Sequence, residues 1–358
     1  MNLETLGWTP VWAQHFDSLL ETAGTRLRPG RVASVHGAAC RLFNEDGEWT
    51  AAVSGRLRDR AAEVADLPTV GDWVAFEATD FRQALIHAVL TRRFVLTRRA
   101  AGRSHETQAL AANVDAILLV MGLDGDFNVR RLERALVMVA HSGAAPLIVL
   151  NKQDVAADLP AQLESVAAAA PGVPVVALSA RDGRGLDALD PYLRRGTTLA
   201  LIGSSGVGKS TLVNGLLGQE RLATGAVREH DQRGRHTTTA RQLVPLPSGA
   251  LLIDTPGLRE IQLTADEDAL DAAFADVAAA AAACRYRDCR HDGEPGCAVH
   301  DAVARGEIPA ERLASLKKLQ KEIEYQARRD DPERERAVKS KWKAIHKAAR
   351  HHGRRGWD

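Results

Sequence analysis

Three short motifs constrain this chain most, and they do so through their order. Asn-Lys-Gln-Asp at 151–154 comes first, Gly-Ser-Ser-Gly-Val-Gly-Lys-Ser at 203–210 follows, and Asp-Thr-Pro-Gly at 254–257 comes last. In an ordinary guanine-nucleotide site the glycine-rich phosphate loop leads and the base-reading NKxD follows. The reversed order implies a nucleotide domain whose original termini were joined and whose chain was reopened elsewhere. A parallel α/β sheet with these motifs at the carboxyl ends of its strands is the expected fold of this region.

The phosphate loop lies between an apolar run, Thr198 to Ile202, and a helical stretch, Thr211 to Leu217. That is the strand, loop and helix context a phosphate cradle requires. Gly203, Ser204, Ser205, Gly206, Val207 and Gly208 would wrap the phosphates with backbone N–H groups at a helix N-terminus, where the dipole favours anions. Lys209 would reach the β and γ phosphates, Ser210 would ligate Mg2+, and Thr211 would complete the contact. Asp254, at the tip of the strand Ala250 to Ile253, would orient the metal, and Gly257 would let its N–H approach the γ phosphate.

NKQD follows the apolar strand Pro146 to Leu150, so Asn151, Lys152 and Asp154 fall on a loop beside the base. The Asp154 carboxylate can accept both the N1 and N2 hydrogens of guanine, a pair adenine lacks. Ser179 and Ala180, after Val175 to Leu178, look like the short loop that accompanies NKxD. Within Gly234 to Thr239 one threonine should close over the nucleotide and ligate Mg2+; Thr238 is the choice, with Thr237 and Thr239 as register alternatives. Leu258 stands where many GTPases carry a water-orienting glutamine. His236 in the polar loop is the best substitute, because an imidazole exchanges protons near neutral pH. Arg233 and Arg235 are nearby candidates for an arginine finger.

A second constellation runs from Cys284 to Cys297. Cys284, Cys289, His291 and Cys297 form a CxxxxCxHxxxxxC pattern in which Gly293, Pro295 and Gly296 can turn four ligands round one ion. Three thiolates with one imidazole suit a closed, tetrahedral, structural zinc. Disulfides would leave an odd thiol. Cys40, alone among apolar neighbours, reads as a packed small side chain.

With the order NKQD, SA, GSSGVGKS, GRHTTT, DTPG and CRYRDCRHDGEPGCAVHDAV, together with TVGDWV at 69–74, the chain resembles the circularly permuted, small-ribosomal-subunit-dependent GTPases called RsgA or YjeQ. The resemblance runs from about Arg31 to Tyr325. It implies an N-terminal OB-fold, a permuted GTPase domain and a C-terminal helical zinc domain, and a GTP phosphohydrolase acting in late maturation of the small (30S) subunit with hydrolysis stimulated by that subunit. His236 matches the histidine proposed to act in hydrolysis, and Leu258 the hydrophobic residue in place of glutamine. DTPG departs from the DSPG of many members without chemical consequence. A GTP-gated RNA- or protein-binding module with negligible turnover is the alternative.

Composition agrees with a multidomain protein of ordinary character. The 358 residues, 45% hydrophobic and 26% charged, carry a formal net charge of only +1, so any nucleic-acid surface must be local. Thr91 to Arg103 holds five arginines and no acid, and Lys339 to Asp358 holds seven Lys or Arg against one acid, with Trp342 and Trp357 interspersed. Such segments can meet phosphates and bases, although the last ten residues could equally be a solubilising tail. The expected division is an extension at 1–29, a barrel at 30–92, a basic linker at 93–109, the GTPase domain at 110–265, the zinc domain at 266–338 and a basic tail at 339–358. Spacing alone gives a small barrel; the resemblance makes it an OB-fold. Thr9 to Leu20 is amphipathic without cations and should dock on the protein itself. No apolar run would span a membrane, and the first residues, with Glu4, lack a secretory signature. A cytoplasmic monomer that binds GTP and GDP, the small subunit and its rRNA, and no membrane, is expected.

Overall fold

The computed structural model describes residues 2–23, 26–79, 81–99, 107–218, 241–254 and 267–330. The chain forms two compact units, 1–264 and 265–358. His236, Thr238 and Gly257 lie outside the described residues, as do Thr237, Thr239, Leu258, Arg233, Arg235 and the basic tail.

The first unit begins with helix α1 (Pro10–Ala23), whose Trp12 and Phe16 are buried, an apolar gain of about 2 kcal/mol each. Just before it, Trp8 stands edge-on to Trp73 with ring centroids 4.6 Å apart, which fastens the extension to the body of the protein. Next come β1 (Leu27–His36), β2 (Ala39–Asn44), β3 (Gly47–Val53), α2 (Gly55–Arg60), β4 (Trp73–Ala78) and β5 (Gln83–Val89). Burial alternates along β3, with Trp49 and Ala51 inward and Thr50 and Ala52 outward, the period of a half-buried strand. Pairing runs β1–β2–β3–β5–β4 and closes from β4 back to β1, with β3 and β5 parallel. That closed five-strand order is the OB barrel, and its core includes Val32, Leu42, Val74, Phe76, Ile86 and Cys40. Cys40 is a packed side chain, as expected.

The remaining strands of this unit are β6 (Val95–Arg99), β7 (Thr107–Ala112), β8 (Ala116–Gly122), β9 (Ala145–Asn151), β10 (Val175–Ala177), β11 (Thr198–Ile202), β12 (Gln242–Pro245) and β13 (Leu251–Asp254). Helices α3 (Val129–Ser142), α4 (Leu159–Ala169) and α5 (Lys209–Leu217) lie between them. Asn128 caps α3, its Oδ1 accepting from the Arg131 N–H at 3.1 Å. β10, β9, β8, β11 and β13 are parallel in that order, and β12 runs antiparallel at the end. β8, β9 and β11 are buried almost throughout, as strands covered on both faces must be, so they read as unbroken apolar runs. β12 also meets β1 at Ser34 and Gln242, which makes barrel and nucleotide sheet one continuous sheet.

A buried cation occupies this joint. Arg31 of β1 is 2% exposed and donates through Nη1 to the Leu6 carbonyl at 2.8 Å and through Nη2 to the Asn113 carbonyl and Thr198 Oγ1, both at 3.1 Å. Burial pulls the guanidinium down to about 10 against the fields of Asp115 and Asp72, so it remains charged at neutral pH. One side chain thus ties the extension, the barrel and the first residue of the phosphate-loop strand.

Two sequence expectations need correction here. The apolar stretch Ala111 to Met121 reads from its sequence as one strand, and it is not. Asn113, at φ 55, breaks it and accepts the Arg93 N–H at 3.0 Å on its Oδ1, so β7 pairs with β6 in a separate ribbon while β8 enters the main sheet. The arginine run beginning at Arg92 is also not all free for RNA. Arg92 grips the buried Asp72 carboxylate with two bonds of 2.8 Å and the Leu67 carbonyl at 2.9 Å, a structural staple under the TVGDWV turn.

In the second unit, α6 (Glu267–Ala273), α7 (Ala275–Ala281), α8 (Ala298–Ala304) and α9 (Ala310–Asp330) surround the cysteine-rich segment. Arg312 of α9, 3% exposed, binds both Asp276 carboxylate oxygens at 2.6 Å and lies over the Phe274 ring. Among the described residues no helix is long and apolar enough to cross a membrane.

Replacing Arg31 with Ala should lower the stability of the first unit by about 3–5 kcal/mol, the usual result of removing one side of a buried charged network. Urea unfolding followed by tryptophan fluorescence measures it, since Trp8 and Trp73 report on the joint; a loss below about 1 kcal/mol would contradict this account of the joint.

Candidate nucleotide site and metal centre

The four strands that carry motif residues end at the same edge of the sheet. β11 delivers the loop 203–208, β9 delivers Asn151, β10 delivers Ser179 and Ala180, and β13 ends at Asp254. The chain order is permuted, and the spatial order still places the phosphate-loop strand between β8 and β13.

Asn151 holds this edge together. It is 2% exposed; its Nδ2 donates to the Val207 carbonyl at 2.8 Å, and its Oδ1 accepts from the Ala180 N–H at 2.9 Å. A primary amide suits the position because donor and acceptor sit on one rigid group. Gly208 is required beside it: φ is 92° there, and a Cβ would lie 2.4 Å from Asn151 Nδ2.

The loop presents Ser205 and Gly206 to solvent and buries Val207 in the sheet's core. Lys209 opens α5 and donates through Nζ to the carbonyls of Gly203 at 2.6 Å and Ser204 at 2.5 Å, which holds the ammonium over the loop. Ser210 and Thr211 follow in the first turn of α5.

On the base side Lys152 adopts a left-handed backbone, φ 67, and its Nζ pairs with Asp124 Oδ2 at 2.5 Å. That hydrogen bond holds the Asp124 carboxyl below the usual carboxylate range. Asp154 sits in the short 3-10 turn Gln153–Val155 and is exposed. Ser179 is buried; its N–H donates to the Arg184 carbonyl at 2.8 Å, closing the loop that carries Ala180.

Two contributors escaped the sequence reading. Asp124 could have been suspected from its place just past the carboxyl end of β8, where sheets of this type bind ligands. Arg131 of α3 had no such signal: its Nη1 donates to Asp126 Oδ1 at 2.6 Å and also to Ser204 Oγ in the phosphate loop.

In the second unit Cys284, Cys289, His291 and Cys297 converge, with their ligand atoms all within 4.8 Å of one another. His291 Nδ1 lies 3.7 Å from Cys284 Sγ and 3.4 Å from Cys297 Sγ. A tetrahedral zinc with ordinary bond lengths separates nitrogen and sulfur ligands by about 3.5 Å, so the donor set fits that ion. Burial, the largest influence on His291, lowers the imidazole pKa and so favours the neutral form a metal needs. The ligand's backbone is strained, φ 57, and is held from outside: His300 Nε2 lies 2.7 Å from the His291 carbonyl, which also accepts from Lys317 Nζ. Gly296 lets the chain pass close to Arg285, whose Cβ would be 3.1 Å from an added methyl.

Comparison with known proteins places this geometry in context. The RsgA GTPase family model matches residues 89–264. The small ribosomal subunit biogenesis GTPase RsgA of Opitutus terrae is 48% identical over 360 residues, covering 98% of this chain and 97% of its own. RsgA 2 of Lactiplantibacillus plantarum is 48% identical over 297 residues, 83% of this chain and 84% of its own. The crystal structure of YjeQ from Thermotoga maritima superposes with a TM-score of 0.64 at 27% identity, covering 83% of this chain and 98% of that one. YloQ, described as a circularly permuted GTPase, has the same fold, with a TM-score of 0.63 at 23% identity, covering 85% of this chain and 97% of that one.

Replacing Asn151 with Ala removes both buried hydrogen bonds and should weaken GDP binding roughly 10- to 100-fold, at about 1 kcal/mol or somewhat more per bond. Calorimetric titration with GDP checks this; affinity within a factor of two of the parent would show that the loops hold their places without the amide.

Proposed function

The chain belongs to the RsgA GTPase family, and on that premise we propose that it hydrolyses GTP in the biogenesis of the small ribosomal subunit. The observation that carries this reading is Asn151, which joins the phosphate loop to the base-side loop, so that motifs from separate parts of the chain can serve one nucleotide. Backbone N–H groups of the loop 203–208 and the Lys209 ammonium receive the phosphates, with Thr211 behind them. Asp154 reads guanine, Ala180 and Ser179 bound the base, and Lys152, held by Asp124, covers it. Ser210, with Thr238 and Asp254, would hold Mg2+, which neutralises charge on the phosphates when bound. Gly257 contributes its N–H at the γ phosphate.

Hydrolysis requires a group to orient water, and Leu258 cannot do so. His236 takes that role in this reading, and the loop that carries it becomes competent on the small subunit. The four ligands Cys284, Cys289, His291 and Cys297 hold one structural zinc. RNA of the subunit is the surface the protein meets, and it works as a cytoplasmic monomer. The permuted order supports a mechanical consequence: the chain leaves DTPG directly for the zinc unit, so the nucleotide state can be felt there.

Multiple-turnover GTP hydrolysis with and without purified small ribosomal subunits tests the proposal. Stimulation of about a hundredfold is expected, the scale of completing a catalytic constellation. Replacing His236 with Ala should remove most of it while leaving GTP affinity unchanged. Binding to the subunit without any stimulation would favour a GTP-gated binding module instead, and equal rates in variant and parent would take His236 out of the mechanism.

A further inference from the structure

We propose that the segment between the metal-ligating Cys284 and His291 is a contact site for RNA, with Tyr286 stacking on an unpaired base and Arg287 and Arg290 meeting the flanking phosphates. The proposal rests on the reading that the protein binds the small ribosomal subunit, and it specifies one place where that binding is made.

The arginines and the tyrosine of this segment are turned to solvent. Tyr286 is 45% exposed, and Arg285, Arg287 and Arg290 are exposed as well. Three other cations of the same unit, though not Lys318 or Lys321, are ion-paired: Arg305 with Glu307 at 2.7 Å, Arg312 with Asp276 at 2.6 Å, and Lys317 with Asp292 at 2.6 Å. Arg285, Arg287 and Arg290 form no ion pair among the described residues. The nearby Glu294 carboxylate is occupied by the Arg290 and Asp292 N–H groups at 3.0 and 2.7 Å, and Asp292 is occupied by Lys317, which leaves Asp288 as the open acid of the loop. Three guanidinium groups on this segment are thus available to phosphates, and that of Arg285 is set beside the Tyr286 ring.

Geometry suits a base better than an apolar protein side chain. The Arg285 guanidinium carbon lies 5.5 Å from the Tyr286 ring centroid, so one cation is already set against the ring, and stacking a base on the exposed ring extends that arrangement. The chain neighbours of Tyr286 are the charged, exposed residues Arg285, Arg287 and Asp288. The display is also rigid. Arg285 N–H donates to the Gly296 carbonyl at 3.1 Å, Cys289 N–H to the Tyr286 carbonyl at 3.3 Å, and a metal ligand stands at each end. Little conformational entropy is then lost on binding.

The test uses the full-length, zinc-loaded protein with a non-hydrolysable GTP analogue and purified small subunits. Tyr286→Ala should weaken co-sedimentation about tenfold, Tyr286→Trp should retain it, and Arg287→Ala with Arg290→Ala should flatten the dependence of binding on salt by about two in the log–log slope. Zinc content and basal GTP hydrolysis should match the parent in each. With p-benzoylphenylalanine in place of Tyr286, illumination should attach the protein to rRNA. Parental binding by both Tyr286→Ala and the double arginine variant would overturn the proposal, as would a crosslink to a ribosomal protein alone. Failure of the unaltered protein to bind small subunits would instead bring down the functional reading on which it rests.

Discussion

The Asn151 side chain is the interaction on which the nucleotide edge depends. Its amide reaches the phosphate loop at Val207 on one side and the base-side loop at Ala180 on the other, and both bonds are buried. Neither loop reaches the other by chain continuity, since Val207 lies 56 positions after Asn151. Neighbouring residues conform to this constraint: Gly208 has no room for a side chain, and Val207 anchors the loop in the sheet's core. A hydrophobic contact could not replace the amide, because a backbone carbonyl and a backbone N–H would both be left buried without partners.

A comparable role at the opposite end of β11 falls to Arg31. The strand that carries the phosphate loop begins at Thr198, whose hydroxyl accepts from Arg31, and whose N–H donates to Asp115 at 2.8 Å. One five-residue strand therefore has its start fixed to the barrel and its end fixed to the nucleotide loop. The β1–β12 pairing adds a backbone link between the same bodies. Barrel and nucleotide sheet are therefore joined by buried polar bonds as well as by chain connections, which are short-ranged and geometrically exacting.

Much of this was legible in the sequence where chemistry leaves few choices. A glycine-rich loop between strand and helix and a cysteine cluster each require particular residues at particular spacings, and β8, β9 and β11 stand out as apolar runs because both faces are covered. Asn128, directly before the helical run from Val129, is also legible as a cap, because capping is local. What stayed hidden was long-range. Arg31 looks like an exposed strand residue until its partners, 25, 82 and 167 positions away, are known. Arg92 looked like part of a basic surface because its carboxylate partner is 20 positions earlier and fully buried. Arg131 reaches a serine 73 positions away. Polar contacts of this kind leave no periodic trace, so composition and pattern cannot reveal them.

The central claim is that permuted motifs form one guanine-specific site, and the most direct test exchanges the base-reading group alone. In Asp154→Asn the amide can no longer accept both guanine N–H groups, but it can donate to the second carbonyl of xanthine. Competition of GTP and xanthosine triphosphate for the full chain should shift by about a hundredfold or more towards xanthosine triphosphate, from loss of a charge-assisted pair of bonds and gain of a neutral one. An unchanged preference for GTP would mean that Asp154 does not face the base, and that the motifs do not share one site.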